Sequence, residues 1–312
     1  MKIGVLGKPF FARKLVKELR NWQIDTEFIE SYPIRYDSIR KALNSDIIHF
    51  IFSPTVFLDG LVMVILLKLF GKRIIVTWIG DDTLFAAKRK GYIYSRIGAR
   101  LIDVNIALTK WLAEDLDRLR IGDYAICPLP IYMDIREYDL PGEFAVSIYL
   151  PEARFFKFYG GEICERIIDY FEKVHFIILT KDRNVMKKRP NTEFLEYTDD
   201  MNGVYRKTTV LLRIPKHDGL SNMVLEALSV GRYVIYSYPL EGCIYAKTFD
   251  DIKYHLKRLL KNPRLEPNIN GRDFFQKNYN KPLLTQRLIK IYNSVLSSKK
   301  DLLRLISDPK SQ

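Results

Sequence analysis

Apolar strands that alternate with helical segments are the feature that most restricts the fold of this chain. A strand predicted at 2–7 is followed by an amphipathic helix predicted at 11–20, and this order repeats through both halves of the sequence. Further strands are predicted at 26–30, 46–52, 73–78, 101–108, 124–127, 144–150, 174–180, 193–195, 209–214 and 233–237. Because strands separated by helices run parallel, the pattern predicts an α/β class with doubly wound parallel sheets, whose ligands bind where strands end.

The length of 312 residues suits two domains of about 150 residues, each with its own core. Pro128, Pro130 and Pro141 indicate a linker, since proline does not fit inside a strand ladder. We therefore predict a first domain at 1–138, a second at 139–268 and a C-terminal helical segment at 269–312.

Composition points to an ordered cytoplasmic protein. The content of 47% hydrophobic and 13% aromatic residues excludes a disordered chain. Cys127, Cys164 and Cys243 lack metal-site spacing, which indicates a reducing compartment and no zinc. A strand at the start leaves no room for a signal peptide, and the apolar segment 55–70 is expected to be a buried helix rather than a membrane element.

The net charge of +13 is concentrated near the C-terminus, where residues 251–312 contain 14 Lys or Arg against 5 Asp or Glu. Such a segment is attracted to anionic lipid headgroups or to a polyanionic substrate. The alternative is a solvated helical face in a Lys-rich chain of archaeal or thermophilic type. No recognition motif accompanies the charge, so nucleic acid is not an expected partner.

The stretch 217–231, HDGLSNMVLEALSVG, carries the strongest chemical signal. After the strand at 209–214, a polar loop leads into a helix predicted from Met223 and ended by Gly231, with Ser221 or Asn222 as the N-cap. The first N–H groups of a helix are unpaired and its dipole is positive there, so this order favours an anion site. The anion-binding segment comprises Gly219, Leu220, Ser221 and Asn222.

Two carboxylates, Asp218 and Glu226, flank seven residues of this stretch. Carboxylates accept hydrogen bonds from hydroxyls, so the two acids suit the hydroxyl-rich parts of a ligand whose phosphates lie on the N–H groups. A nucleotide sugar has that alternation. In the alternative interpretation Asp218 is a turn residue and Glu226 a solvated helix position.

The same stretch resembles the signature of retaining glycosyltransferases of the GT-B fold, the large family 4 group, in which a Glu, seven residues and a second Glu precede a small-residue helix and a Gly. The resemblance implies two Rossmann-like domains with a cleft between them. It also implies that Glu226 binds the ribose hydroxyls and that Asp218 holds the hydroxyls of the transferred sugar. The sequence departs from the pattern at Asp218, which replaces a Glu, and at Ser221, which replaces a Gly.

The turn at 78–83 resembles the family loop that reaches the reactive carbon of the donor, where a His often precedes the Gly; here that position is Ile79. Asp81 or Asp82 is expected to contact the sugar or the acceptor, or else to cap a helix that starts at Leu84.

A donor diphosphate needs cationic partners. In family members these are a Gly-Arg after the first strand of the second domain and a Lys a few residues later. This chain lacks the Gly-Arg, and Arg154 and Lys157 are the nearest candidates, unless they are only surface charge. Arg213, near the end of an apolar strand, is expected to pair with a ligand phosphate or Asp218, or with a structural partner.

The acceptor side is predicted in the first domain. The basic and aromatic segment 88–100 lies where lipid-modifying family members face the membrane, which suits a lipid-linked acceptor and peripheral contact at the inner face of the membrane. The alternative is again a solvated face. The C-terminal helices resemble the pair that in GT-B enzymes crosses back to the first domain.

The preferred hypothesis is transfer of a sugar, with retention, from a nucleotide diphosphate sugar of UDP or GDP type to a glycan, lipid-linked or other anionic acceptor. That sugar nucleotide is a co-substrate, and no further cofactor is expected. We identify no Asp-x-Asp metal signature of the other glycosyltransferase fold, so no metal is expected either. Two alternatives stay open: a nucleotide-sugar-binding subunit without turnover, and a GT-B sugar epimerase. A dinucleotide oxidoreductase fits less well, because Gly4 and Gly7 do not make the required glycine fingerprint.

Overall fold

The computed structural model describes residues 1–30, 36–196 and 200–297. Contacts divide the chain into two compact units. The first comprises Met1–Ile131, Asp218–Leu220 and the segment from Asn280 onward, and the second comprises Tyr132–His217 and Ser221–Tyr279. Each unit contains one six-stranded parallel sheet with flanking helices, which confirms the predicted α/β architecture.

The sheet of the first unit has the order β2-β1-β3-β4-β5-β6. Its elements are β1 (Lys2–Gly7), α1 (Pro9–Asn21), β2 (Asp25–Phe28), α2 (Tyr36–Leu43), β3 (Ile47–Ile51), a 3-10 turn (Pro54–Val56), α3 (Leu58–Leu69), β4 (Arg73–Trp78), α4 (Asp81–Ala86), α5 (Arg89–Ala99), β5 (Val104–Ala107), α6 (Lys110–Arg118) and β6 (Tyr124–Ile126). The direction of winding reverses between β1 and β3, so their carboxyl ends border the crevice where doubly wound sheets bind ligands.

Glycine is required where β1 ends. Gly7 has a φ of +107°, and a Cβ at this position would lie 2.0 Å from the carbonyl oxygen of Ile51 on β3. The next residue, Lys8, donates its N–H to the same oxygen. The ends of β1 and β3 therefore approach each other closely. Lys8 is the first residue after β1 and lies at this reversal point.

The sheet of the second unit has the order β12-β11-β10-β7-β8-β9, and its reversal point lies between β7 and β10. Its elements are β7 (Ala145–Tyr149), a 3-10 turn (Ala153–Phe155), α7 (Gly161–Tyr170), β8 (His175–Thr180), β9 (Thr192–Glu196), α8 (Met201–Lys207), β10 (Val210–Arg213), α9 (Asn222–Ser229), β11 (Tyr233–Tyr236), β12 (Ile244–Tyr245), α10 (Phe249–Leu260) and α11 (Ile269–Asn278).

The last described helix, α12 (Lys281–Ser297), packs on the core of the first unit. The hydroxyl of Tyr292 on α12 lies 2.7 Å from Nδ1 of the fully buried His49, whose Nε2 lies 2.7 Å from the hydroxyl of Thr77. The segment predicted at 269–312 thus contains α11, which groups with the second unit, and α12, which groups with the first. Its remainder, 298–312, lies outside the described residues.

The helix predicted at 55–70 is present as α3, but the prediction that it is buried is wrong. Helix α3 buries Leu61, Val64 and Leu67, whereas Leu58, Val62, Ile65, Leu66 and Leu69 are exposed. A helix that is apolar all round does not reveal which side will find a partner. No helix in the described part of the chain is long and apolar enough to cross a membrane.

Candidate functional site

Two elements predicted to bind the donor, Arg213 and the start of α9, lie at the reversal point of the second sheet. Strand β10 ends at Arg213 and leads to α9, which begins at Asn222, and the neighbouring β7 ends at Tyr149. Ser221, one of the two predicted N-cap residues, occupies the N-cap position with extended backbone, but its side chain forms no capping hydrogen bond with the described residues. The start of α9 is therefore placed at the carboxyl edge of the sheet.

Glu226 lies on the second turn of α9 and is only 3% exposed. Its Oε1 accepts the N–H of Met133 at 2.8 Å, and its Oε2 lies 3.1 Å from the hydroxyl of Tyr205. The interpretation of Glu226 as a solvated helix position is therefore wrong.

Tyr205 is the donor that orients Glu226. Burial, together with the nearby Glu226 carboxylate, raises the pKa of Tyr205 well above its usual value, so its hydroxyl stays protonated. The same hydroxyl lies 3.1 Å from the carbonyl oxygen of Met223. Tyr205 and the backbone of Met133 were not recognised from the sequence, because each comes from a segment far from α9 along the chain.

Arg213 is buried at the end of β10, and its guanidinium lies over the rings of Tyr149 and Tyr159 at 5.5 Å and 5.3 Å from their centroids. Aromatic faces stabilise a guanidinium held partly out of water. Its predicted role as a phosphate partner stays a prediction.

The loops that follow β7 and β10 are fixed to each other through a glycine that sequence reasoning missed. Gly160 has a φ of +73°, and a Cβ there would lie 2.7 Å from the carbonyl oxygen of Ile214. The N–H of Lys216 donates to the carbonyl of Phe158 at 2.8 Å. The Gly160-Gly161 pair was the available sequence signal, since paired glycines at a strand end often allow close backbone approach.

Arg154 and Lys157, the predicted cations of the diphosphate site, are both exposed. Arg154 pairs with Glu152 at 2.7 Å, and Lys157 pairs with Glu162 at 3.2 Å. Both cations are thus exposed and paired with neighbouring acids, which agrees with the surface-charge alternative. Exposed ion pairs of this kind contribute little to stability. Their role toward a diphosphate stays a prediction.

Residues 218–220 group with the first unit, so Asp218 and Glu226 belong to different units. The indole N–H of Trp111 on α6 lies 2.9 Å from the carbonyl oxygens of both Asp218 and Gly219. A Cβ at Gly219 would lie 2.1 Å from the carbonyl oxygen of Ile79, and Leu220 packs against the core of this unit. Trp111 was not predicted; its only sequence signal was its place one residue after the start of α6.

Helix α4 begins at Asp81, so the prediction of a helix from Leu84 is wrong. The fully buried Asp82 accepts the N–H groups of Ser53, Ile79 and Gly80 at 2.9–3.0 Å. Burial raises the pKa of Asp82 to about 6, although these N–H groups act in the opposite direction. Asp82 therefore fixes the loop after β4, whose Gly80 has a φ of +114°.

Asp81, the neighbouring predicted site residue, is exposed and accepts the ammonium of Lys8 at 2.5 Å. Lys8 follows β1 and Asp81 follows β4, so the two charges meet at the carboxyl edge of the first sheet. Sequence reasoning missed Lys8, although a lysine directly after a strand that ends in glycine is a recognisable pattern.

Across residues 1–30, 36–196 and 200–297, no group of three or more His, Cys, Asp or Glu side chains is placed to hold a metal ion. The sequence does contain the triplet Asp115-Leu116-Asp117, which matches Asp-x-Asp and was not recognised. It lies inside α6, where Asp115 contacts Arg118 and Asp117 accepts the hydroxyl of Tyr124. Asp117 is therefore an exposed residue of α6, and Asp115 is a half-buried one that pairs with Arg118.

Comparison with known proteins identifies the fold. No protein-family model matches the sequence, and curated proteins give no match. Among solved structures, the chain is similar to sucrose-phosphate synthase from Thermosynechococcus elongatus (TM-score 0.74, 12% identity, 95% of this chain and 100% of that chain covered). It is also similar to Anabaena HepE in complex with UDP and glucose (0.72, 12%, 94% and 99%) and to a glycosyltransferase from Rickettsia africae (0.67, 10%, 95% and 99%). The chain therefore has the GT-B fold predicted from its sequence.

Proposed function

We propose that this protein is a glycosyltransferase that moves a sugar from a nucleotide diphosphate sugar to an acceptor. The observation that carries the proposal is the buried carboxylate of Glu226, held by the N–H of Met133 and the hydroxyl of Tyr205 one turn after the start of α9. A carboxylate held in this way, at the reversal point of a doubly wound sheet, suits a pair of ribose hydroxyls. The start of α9 and Arg213 at the end of β10 suit the adjoining phosphates.

The donor is proposed to be of UDP type, with GDP as the alternative nucleotide. The similar fold of HepE, a structure with UDP and glucose, supports a uridine nucleotide. Asp218 is proposed to hold hydroxyls of the transferred sugar, and Asp81 to contact the acceptor.

The reaction breaks the bond from the anomeric carbon to the diphosphate oxygen, forms a bond from that carbon to an acceptor oxygen, and releases the proton of the acceptor. Negative charge grows on the diphosphate as the first bond breaks, so positive charge placed there lowers the barrier. Arg213 and the N–H groups at the start of α9 are proposed to supply it, with Arg154 and Lys157 as further cations. Retention and metal independence are part of the proposal, and transfer should continue undiminished in EDTA.

The test is calorimetric binding of UDP-glucose, UDP-N-acetylglucosamine and GDP-mannose to wild type, Glu226→Gln and Glu226→Ala. We expect one sugar nucleotide to bind to wild type, and Glu226→Ala to lose at least about tenfold in affinity, since it removes a buried charged acceptor. The exposed Glu241→Ala is the matched control and should bind normally. Unchanged affinity in a folded Glu226→Ala variant would disprove the ribose assignment. Binding without transfer to any acceptor would favour the subunit without turnover, and conversion of the sugar without an acceptor would favour an epimerase.

A further inference from the structure

A deep apolar groove lies on the first unit between α2 and α3. Its volume is about 910 Å³, within the range of small-molecule sites. Ile39 and Leu43 line it from α2, Val62 and Leu66 from α3, Phe57 from the segment before α3, and Leu6 from β1. Because Leu6 lies near the carboxyl end of β1, the groove reaches toward the edge of the sheet where ligands are expected.

The walls of the groove are unusually exposed for apolar side chains. Phe57, Leu58, Val62, Leu66 and Phe70 all line it, and each is between 46% and 63% exposed. A ligand with a matching apolar surface would remove this surface from water, so its binding would be favoured. Large contiguous apolar patches on a protein surface mark ligand grooves and interaction sites.

Cationic groups lie beside the groove, joined to it by aromatic rings. The ammonium of Lys8 lies 5.3 Å from the ring centroid of Phe52, and Phe52 stacks on Phe57 with centroids 6.4 Å apart. Phe57 also contacts Phe85, over whose ring the ammonium of Lys88 lies at 4.8 Å. Asp81 offsets part of the charge of Lys8. Each ammonium group is therefore linked to Phe57, at one end of the groove, through a single aromatic ring.

We propose that the groove binds the hydrocarbon chain of a lipid phosphate, with the phosphate near Lys8 and Lys88. This inference rests on the proposed function and gives the acceptor a chemical class, an amphiphile with an anionic head. A long chain covers the exposed aliphatic walls, and the phosphate complements the two ammonium groups. A sugar or glycan without a lipid has no apolar surface to cover this groove.

The experiment is calorimetric binding of geranylgeranyl phosphate to the full chain, compared with isopentenyl phosphate, which has the same head and a single isoprene unit. We expect geranylgeranyl phosphate to bind at least about a hundredfold more tightly, since burial of a hydrocarbon chain contributes several kcal/mol. Equal affinities, or no binding of the long-chain compound, would overturn the proposal.

Two leucines of α3 make a matched pair of variants. Leu66 lines the groove and is 51% exposed, whereas Leu69 is 77% exposed and does not line it. Leu66→Asp is expected to weaken binding of geranylgeranyl phosphate by about tenfold or more, while Leu69→Asp binds like wild type. Val62→Asp gives a second groove variant should Leu66→Asp fail to fold, as judged by circular dichroism and melting temperature.

Co-sedimentation with phosphatidylglycerol vesicles separates groove binding from docking of the helix on a bilayer. Equal loss of vesicle binding and of lipid phosphate binding in Leu66→Asp and Leu69→Asp would assign the whole exposed face to a membrane surface and overturn the proposal. Binding of UDP-glucose to Leu66→Asp provides the link to the proposed function. If the sugar nucleotide still binds while the lipid phosphate never does, the acceptor proposal fails alone. If Glu226→Ala loses sugar nucleotide binding but still binds geranylgeranyl phosphate like wild type, the groove is a separate site, as proposed.

Discussion

The hydroxyl of Tyr205 lies 3.1 Å from Oε2 of Glu226, and both side chains are buried in the second unit. Because the pKa of Tyr205 is raised well above its usual value by burial and by the carboxylate, the phenol is the donor in this pair. With the N–H of Met133 on the other oxygen, the carboxylate has a fixed orientation before any ligand binds. Such preorganisation reduces the entropy lost on binding.

Replacement of Tyr205 by phenylalanine should disturb this carboxylate without changing the shape of the core. We expect a loss of about 1–3 kcal/mol in the free energy of unfolding, because Oε2 of a buried carboxylate loses a hydrogen bond. Affinity for the sugar nucleotide should fall less than in Glu226→Ala. Urea denaturation and calorimetry measure the two effects, with Tyr233→Phe, whose hydroxyl bonds the carbonyl of Glu266 near the surface, as control. A stability equal to wild type in Tyr205→Phe would contradict the assigned role.

Helix α9 shows what the sequence alone can predict. The strand before it, the loop and the positions of Asp218 and Glu226 follow from local periodicity and capping rules, and the structure has these elements within about two residues of the prediction. The orientation of Glu226 toward Met133 and Tyr205 depends on segments more than 20 residues away. No local pattern encodes such a contact.

The first unit shows where sequence reasoning stops. A run such as 55–70 is apolar on every side, so its periodicity cannot distinguish the packed side of α3 from the exposed one. Likewise Asp81 and Asp82 are adjacent and chemically identical, yet one is exposed and the other is enclosed by three N–H groups. Tertiary packing decides both cases.

His49 should make the first unit sensitive to acid. Burial lowers the pKa of its imidazole from 6.5 to about 3. Between these values the unfolded chain binds a proton that the folded chain does not, so stability falls as the pH decreases below 6.5. We expect wild type to lose up to roughly 3 kcal/mol between pH 6.5 and pH 4 relative to His49→Gln. Urea denaturation of both proteins across this range measures the difference, and parallel pH profiles would refute the prediction.

Asp82 should act in the opposite direction. Its folded pKa is raised to about 6, so its contribution to stability is fully present below 3.8 and is lost as the pH rises through about 6. Relative to Asp82→Asn, wild type should therefore lose up to roughly 3 kcal/mol between pH 4 and pH 7. Asp81→Asn, altered at an exposed acid, is the control and should follow wild type. A difference between wild type and Asp82→Asn that does not vary with pH would contradict the raised pKa.

Trp111 should control the order of the segment that carries Asp218. Its indole N–H lies 2.9 Å from two carbonyl oxygens, those of Asp218 and Gly219, and Trp111→Phe removes this donor while keeping an aromatic ring. We expect a loss of about 1 kcal/mol in stability, the usual net value of one hydrogen bond. Hydrogen exchange at the amides of residues 218–220 should become faster, since these residues open more often when the bond is absent. Trp22→Phe, at the end of α1, controls for the loss of an indole elsewhere in the same unit. Protection of residues 218–220 that is the same in Trp111→Phe and in Trp22→Phe would show that packing of Leu220, and not the indole, fixes this segment.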